Sequence, residues 1–185
     1  PVPPFEKLNS NDDRMNQVVY ANGLLWAGVN TIVQFPGQAK HVGIAYFLVK
    51  PVFVGSIFEA SVASQGYVAV SGNNVLFPSI GVTAAGKGIM TFTLVGSTYH
   101  PSSAYTTISN TGAAGDVHIA GLGLLPDDGF TGYAAFGGAG VARWGDYSAA
   151  VADEQGNIWF ASEYIPAAPR TSLANWGTFV SEVRP

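Results

Sequence analysis

Asn16–Gly28 reads NQVVYANGLLWAG, and the fold turns on how this stretch is read. A short apolar run, a turn at Ala21-Asn22-Gly23 whose Asn and Gly accept positive φ, and a second run carrying Trp26 are the marks of a β-hairpin. The same order recurs in GYVAVSGNNVLFPS (Gly66–Ser79), with its turn at Ser71-Gly72-Asn73-Asn74. It recurs again in YSAAVADEQGNIWFAS (Tyr147–Ser162), where the turn is Asp153-Glu154-Gln155-Gly156. A third apolar run succeeds each hairpin: GIAYFLVKP (Gly43–Pro51), GIMTFTLVG (Gly88–Gly96) and GTFVSEVRP (Gly177–Pro185). Helical periodicity is nearly absent, so an all-β chain is expected.

Working outward, fourth strands are expected at Ile57–Ser64 in the first copy and at Tyr105–Ser109 or Val117–Leu122 in the second, while the third copy stops after three. This divides a single region, 1–185, into blade-like units at about 14–64, 65–123 and 143–185. Ser97–Ala142 reads as a long Gly, Ala and Pro-rich connection holding an outer strand and a surface excursion at Pro126-Asp127-Asp128-Gly129. Four-stranded antiparallel units in series are the signature of β-propeller blades, and rings close with roughly four to eight of them. Three units do not close a ring. The expectation is therefore a propeller portion completed by another polypeptide segment or by copies of itself. A small closed barrel or sandwich of the same strands is the alternative.

Composition excludes several classes. With 48% hydrophobic and 11% charged residues, the chain is neither disordered nor a coiled coil. A net charge of −4 without a Lys/Arg run argues against a nucleic-acid partner. The absence of cysteine removes disulfides, thiolate metal sites and a cysteine nucleophile. The longest apolar stretch, Val42–Gly55, is broken by Lys50 and Pro51 and falls short of the roughly 18 residues a membrane span needs. No leader pattern opens the chain, so Pro1 is expected to begin a processed protein or to mark a cut within a longer one.

Asp153-x-x-Gly156-x-x-Trp159 resembles the Asp-box hairpins of secreted bacterial propellers such as the sialidase-like families. In those hairpins Asp and Gly shape the turn and the aromatic fills the space between blades. The match lacks the leading Ser/Thr and carries one extra turn residue. The string Arg143-Trp144-Gly145-Asp146-Tyr147, through Glu163-Tyr164, is similar to the last blades of such propellers. By analogy with such propellers, the Gly, Ala, Ser, Thr and Tyr-rich, cysteine-free, low-lysine composition suggests an extracellular or periplasmic setting.

Short motifs add little chemistry. Gly81–Gly88 matches a P-loop up to Lys87, but Gly88 stands where a hydroxyl is required and a strand comes next, so it reads as a hairpin connection. Gly138–Arg143 is a glycine-rich loop without the βαβ unit that a dinucleotide fingerprint needs. His41, His100 and His118 are far apart, and no metal or other cofactor is expected.

The functional argument rests on blade geometry. Segments leading into inner strands, and loops joining second to third strands, open on one face of a propeller. Those positions hold Asp12, Asp13 and Arg14, then Arg143, Trp144 and Asp146, with Lys40, His41, Lys87, Glu163, Tyr164 and Arg170 in the loops. The ligand-binding candidates are Asp13, Arg14, Arg143, Trp144, Asp146 and Arg170, with Tyr99, Phe130, Tyr133 and Trp144 expected as exposed aromatics. One function class is a glycan- or protein-binding scaffold module. The alternative is the C-terminal part of a sialidase-like or other glycoside hydrolase whose remaining catalytic residues lie in further blades. The resemblance then implies an arginine cluster for a carboxylated sugar and catalytic roles for Asp146, Glu163 and Tyr164. Adjacent residues on a strand face opposite ways, however, which opposes a Glu163–Tyr164 pair.

Overall fold

The computed structural model describes residues 7–145, 147–170 and 172–185. A two-residue strand, β1 (Lys7–Leu8), precedes the first sheet of β2 (Val18–Ala21), β3 (Leu24–Gln34), β4 (Lys40–Val54) and β5 (Ile57–Val68). The second sheet holds β6 (Asn73–Val82), β7 (Gly88–Gly96), β8 (His100–Ile108) and β9 (Ala114–Gly123). After two 3-10 turns and β10 (Val141–Ala142), a third sheet forms from β11 (Ala149–Ala152), β12 (Ile158–Tyr164) and β13 (Gly177–Val183). Each of the three is an antiparallel meander in sequence order, while β1 and β10 pair in parallel. The all-β reading holds, with two four-stranded sheets and one of three strands.

The first and third hairpins fold as the sequence suggests. Asn22 and Gly23 both take positive φ, 50° and 73°, which is the twist a two-residue hairpin turn requires. Asp153 closes the third hairpin: its Oδ1 accepts the Asn157 backbone N–H at 2.8 Å, and its Oδ2 accepts the Trp159 indole N–H at 3.2 Å.

The second unit needs correction. Gly66–Val68 is not the first strand of a hairpin but the end of β5, where Ala45, Tyr46 and Ile44 pair with Tyr67, Gly66 and Val68. The turn before Asn73 crosses between sheets, and the real hairpin is β6–β7. Two apolar runs flanking a Gly-Asn turn look alike whether they pair with each other or with different neighbours. The second sheet therefore begins at Asn73. Both regions offered as alternatives for its fourth strand are strands, β8 and β9. The long connection shortens to match, because 100–108 and 114–123 are ladder rather than loop.

The second sheet lies between the other two. One of its faces joins Trp26, Ile44, Tyr46 and Leu48 of the first sheet in a core with Val75, Ile80, Met90, Phe92 and Leu94. Its other face packs Ile89 against Ala150, Ile158 and Phe160 of the third sheet. Gly81 lets the third sheet approach, since a Cβ there would meet Ile158 and the backbone of Ala150 and Val151. Gln17 ties the first strands of all three sheets at one point: its amide donates to the Ala150 carbonyl at 3.1 Å, and its Oε1 accepts the Ser79 hydroxyl.

Among the described residues, no further sheet covers either end face of the stack. Residues alternating with the core set on the first sheet form cross-strand rows Val18–Ala27–Phe47, Tyr20–Leu25–Val49 and Val29–Ala45–Tyr67. Tyr20 and Tyr67 in these rows are 66% and 70% exposed. On the third sheet Val151, Trp159 and Val180 are likewise exposed.

Candidate functional site

The pairing of Lys7 with Val141 and Leu8 with Ala142 pins the start of the chain beside the segment that leads into β11. Asn9 extends it, its N–H donating to the Ala142 carbonyl at 2.8 Å. Asn30 on β3 anchors the next residues, donating to the Ser10 carbonyl at 2.7 Å and accepting the Phe77 N–H at 2.9 Å. That second bond holds Phe77 at φ 57°, a left-handed conformation that costs a bulky residue roughly 1–2 kcal/mol. The bulge it creates turns the Phe77 ring into a small core with Leu76, Trp144 and Ile165.

Two clefts meet on this foundation. One, of about 540 Å³, is lined by Asn9, Asn11, Arg14, Met15, Asn16, Arg143 and Tyr147. The other, of about 530 Å³, lies over the bare end of the third sheet, where Ala161, Glu163 and Thr178 form its floor with Phe130, Arg143, Tyr147 and Trp176 around it. Arg143 and Tyr147 belong to both. The Arg143 backbone is set by its N–H, which donates to the Thr131 hydroxyl at 3.0 Å, and its side chain reaches solvent. Tyr147 is 75% exposed and Trp176 52%, so two rings stand in water beside a guanidinium and a carboxylate.

The structure brings together only part of the expected set. Arg14 and Arg143 line one cleft, and Glu163 lies in the neighbouring one. Asp12 holds the Arg14 guanidinium at 2.7 Å, and the hydrogen bonds and charge of Arg14 keep the Asp12 carboxyl below its ordinary range. Asp13 is exposed and lines neither cleft. Trp144 is not an exposed ring: it is 2% accessible, with its indole N–H donating to the Thr93 hydroxyl at 3.1 Å, and a cleft beneath Arg143 rests on it. Tyr99 and Phe130 are half-buried, and Tyr133 is exposed as expected. Asp146 lies outside the described residues.

Glu163 and Tyr164 occupy opposite faces of β12, as strand alternation requires. Glu163 faces the cleft, whereas Tyr164 packs edge-on against Phe179 with ring centres 5.3 Å apart. Lys87 sits at the other end of the second sheet, in the β6–β7 turn, with its ammonium donating to the Pro185 carbonyl at 2.9 Å. Its misplacement stems directly from the shifted second hairpin. Lys40 and His41 open β4 and line neither cleft.

Arg170 belongs to a separate cluster. Its guanidinium lies 3.5 Å from Asp128 and 4.7 Å from the centre of the Tyr133 ring, and the Tyr133 hydroxyl donates to Asp128. Asn175 closes the loop by accepting the Asp128 N–H at 2.8 Å and donating to the Pro126 carbonyl at 3.0 Å. Neighbouring Asp127 is 4% exposed with Oδ1 unpaired, facing a cavity of about 160 Å³ that Lys7 also borders. Burial pushes the Asp127 carboxyl up, with a smaller push from Asp128, against the pull of the Gly129 N–H. Among the described residues, no three His, Asp or Glu side chains gather as a metal centre would need.

The residues missed from sequence are Tyr147, Trp176 and the Asn9–Asn16 lead-in as one wall of a cleft. The usable signal was position: Tyr147 lies just ahead of the third hairpin and Trp176 immediately precedes β13. The β1–β10 pairing left no signal, because two residues joined across more than a hundred positions make no local pattern. No helix among the described residues is long and apolar enough to cross a membrane. No protein-family model matches the chain, and no curated protein matches it.

Proposed function

We propose that the three sheets are successive blades of a secreted β-propeller, short of a full ring in this chain, and that the module binds glycans at the paired clefts around Arg143. The observation that carries the binding reading is the exposure of Tyr147 and Trp176 beside Arg143 and Glu163. A sugar ring offers an apolar C–H face and a rim of hydroxyls. Exposed aromatic rings suit the first, and planar charged groups with several donors or acceptors suit the second. Arg143, with Arg14 across the neighbouring cleft, favours sugars that carry a carboxylate, since guanidinium binds that group in bidentate fashion. The three first strands converging on Gln17 support the propeller reading, because inner strands meet around the axis of such a ring.

The test is calorimetric titration with uronic-acid oligosaccharides beside neutral ones of equal length. Wild-type binding should favour the acidic set, and Arg143→Ala and Tyr147→Ala should each weaken it about tenfold or more. Equal binding by wild type and both variants, or no binding to either set, would overturn the assignment.

A second reading comes from Glu163 lying in the same cleft: the module contributes one carboxylate to a glycoside hydrolase site. Glycoside hydrolysis generally takes two carboxyl groups on either side of the bond, and Glu163 is the single carboxylate among the described lining residues of that cleft. Turnover of an acidic or neutral glycoside that disappears in Glu163→Gln would favour it. Binding retained in Glu163→Gln without any turnover in wild type would favour the binding module.

A further inference from the structure

Trp26 and Trp159 occupy the same place in two different sheets. Each is the third residue after its turn, on the second strand of its hairpin, opposite Val19 in one case and Val151 in the other. Each donates its indole N–H to the residue that begins the turn, Trp26 to the Ala21 carbonyl at 3.0 Å and Trp159 to the Asp153 carboxylate. Trp26 points toward the next sheet in the chain, and Trp159 points away from the second sheet, toward where a later one would stand. Trp26 meets the second sheet there and is fully buried, whereas no sheet among the described residues covers Trp159, which is 43% exposed. Around it Val151 and Val180 are 64% and 61% exposed. The third sheet therefore carries the same docking face that the first sheet uses internally, without its partner.

The partner face has a defined character. What covers Trp26 is the apolar side of an antiparallel sheet that looks back toward the start of the chain. The chain presents one more face of that kind, uncovered: the outer side of the first sheet, with rows Tyr20–Leu25–Val49 and Val18–Ala27–Phe47. Uncovered sheet faces of this breadth are costly in water and mark contact surfaces. A head-to-tail contact between unlike faces generates either a closed ring or a fibre, according to whether its rotation closes. Two copies of three sheets give six, within the range of roughly four to eight at which propeller rings close.

We infer that a second copy of this chain docks here, the outer face of its first sheet covering Trp159 on the third sheet, with the reciprocal contact closing a two-copy ring. This rests on the blade reading and names the partner that completes it. The cleft holding Glu163 and Trp176 opens on the same face of the third sheet, so the second copy would also wall its open side.

Native mass spectrometry of the full chain without ligand gives the first readout. The expected mass is twice 19.3 kDa. Trp159→Glu and Tyr20→Arg alter opposite faces at exposed positions, and each alone should return the mass to one chain with an unchanged far-ultraviolet circular dichroism spectrum. The chain has no cysteine, so single replacements report accessibility cleanly. Val180→Cys should react with a maleimide several-fold more slowly than Asp116→Cys on the outer strand of the second sheet, and the difference should vanish when Tyr20→Arg is added. A wild-type mass of one chain, or equal labelling at the two cysteines, would overturn the inference. A single chain that still binds uronic-acid oligosaccharides through Arg143 would remove the second copy and leave the glycan site standing. A two-copy ring that binds no sugar would do the reverse.

Discussion

The second sheet is buried on both sides, but its two faces are chemically unlike. Toward the first sheet, Met90, Phe92 and Leu94 of β7 enter a core of aliphatic and aromatic side chains. Toward the third sheet the alternate residues are Ile89, Thr91 and Thr93, all buried. Thr91 donates to the Ala104 carbonyl at 3.0 Å, and the Ser103 and Ser162 hydroxyls meet at 2.5 Å between the sheets. The first interface is held by apolar area and tolerates no loss of volume. The second is narrower, brought close by Gly81, and its hydroxyls are tolerable only because they satisfy one another. Area and fit thus hold the molecule together in different proportions at its two joints.

Phe92→Ala should break the first joint most severely. The ring is fully buried among aliphatic and aromatic side chains, and such truncations cost about 3–5 kcal/mol. The midpoint of urea unfolding, monitored by circular dichroism, measures it. A loss of under about 1 kcal/mol would mean that this core is far looser than its packing indicates.

At the second joint the sensitive change is an addition. In Gly81→Val the new side chain would press on Ile158 and on the Ala150–Val151 backbone, where the backbone cannot move aside. Overpacking of this kind costs about 1–3 kcal/mol. It should also raise the exchange rate of β11 and β12 amides while leaving those of β3 and β4 unchanged, as hydrogen–deuterium exchange would show. Uniform acceleration across all three sheets would mean that the joints are not separable.

Thr91→Val keeps the shape and deletes one hydroxyl. The Ala104 carbonyl loses a donor, and the expected cost is about 1 kcal/mol. Combining it with Ser162→Ala should cost less than the sum of the two single changes, because Ser162 contacts both Thr91 and Ser103. Strict additivity would remove the hydroxyl network as an explanation of this joint.

These contrasts also explain what could be read in advance. The first and third hairpins were legible because their turn chemistry, Asn22-Gly23 and Asp153 with Gly156, fixes pairing within a few residues. The second sheet was misjudged by one strand because the choice between β5 and β6 as partner is made by long-range packing. Tyr67 and Val68 belong with β4, and nothing in Gly66–Ser79 says so. The site divided in the same way. Arg14, Arg143 and Glu163 were found because charge is rare in this chain, and their positions relative to strands decided their faces. Trp144 was misread because a large aromatic beside an arginine looks like a binding ring until Phe77 and Ile165 are seen to enclose it.

The smallest effect tests the rule that makes the second joint tolerable, that buried polar atoms must be matched. Asp127 breaks it: its Oδ1 is buried without a donor, unlike the Thr91, Ser103 and Ser162 hydroxyls between the second and third sheets. Because burial raises its folded pKa above the unfolded 3.8, the folded state holds the proton over a pH window in which the unfolded chain has lost it, and the two states bind protons equally below and above that window. As pH rises through 3.8 the unfolded chain ionises first, so this group subtracts stability progressively until pH passes its folded pKa. Asp127→Asn keeps the shape and removes the proton exchange. The variant should match wild type near pH 3, gain on it as pH rises past 3.8 and hold that gain once the folded carboxyl has ionised, read as the difference in thermal midpoints between pH 3 and pH 7. A variant that falls behind as pH rises would mean that the ionised carboxylate has a counterpart in the folded protein, with Lys7 across the same cavity the first residue to replace.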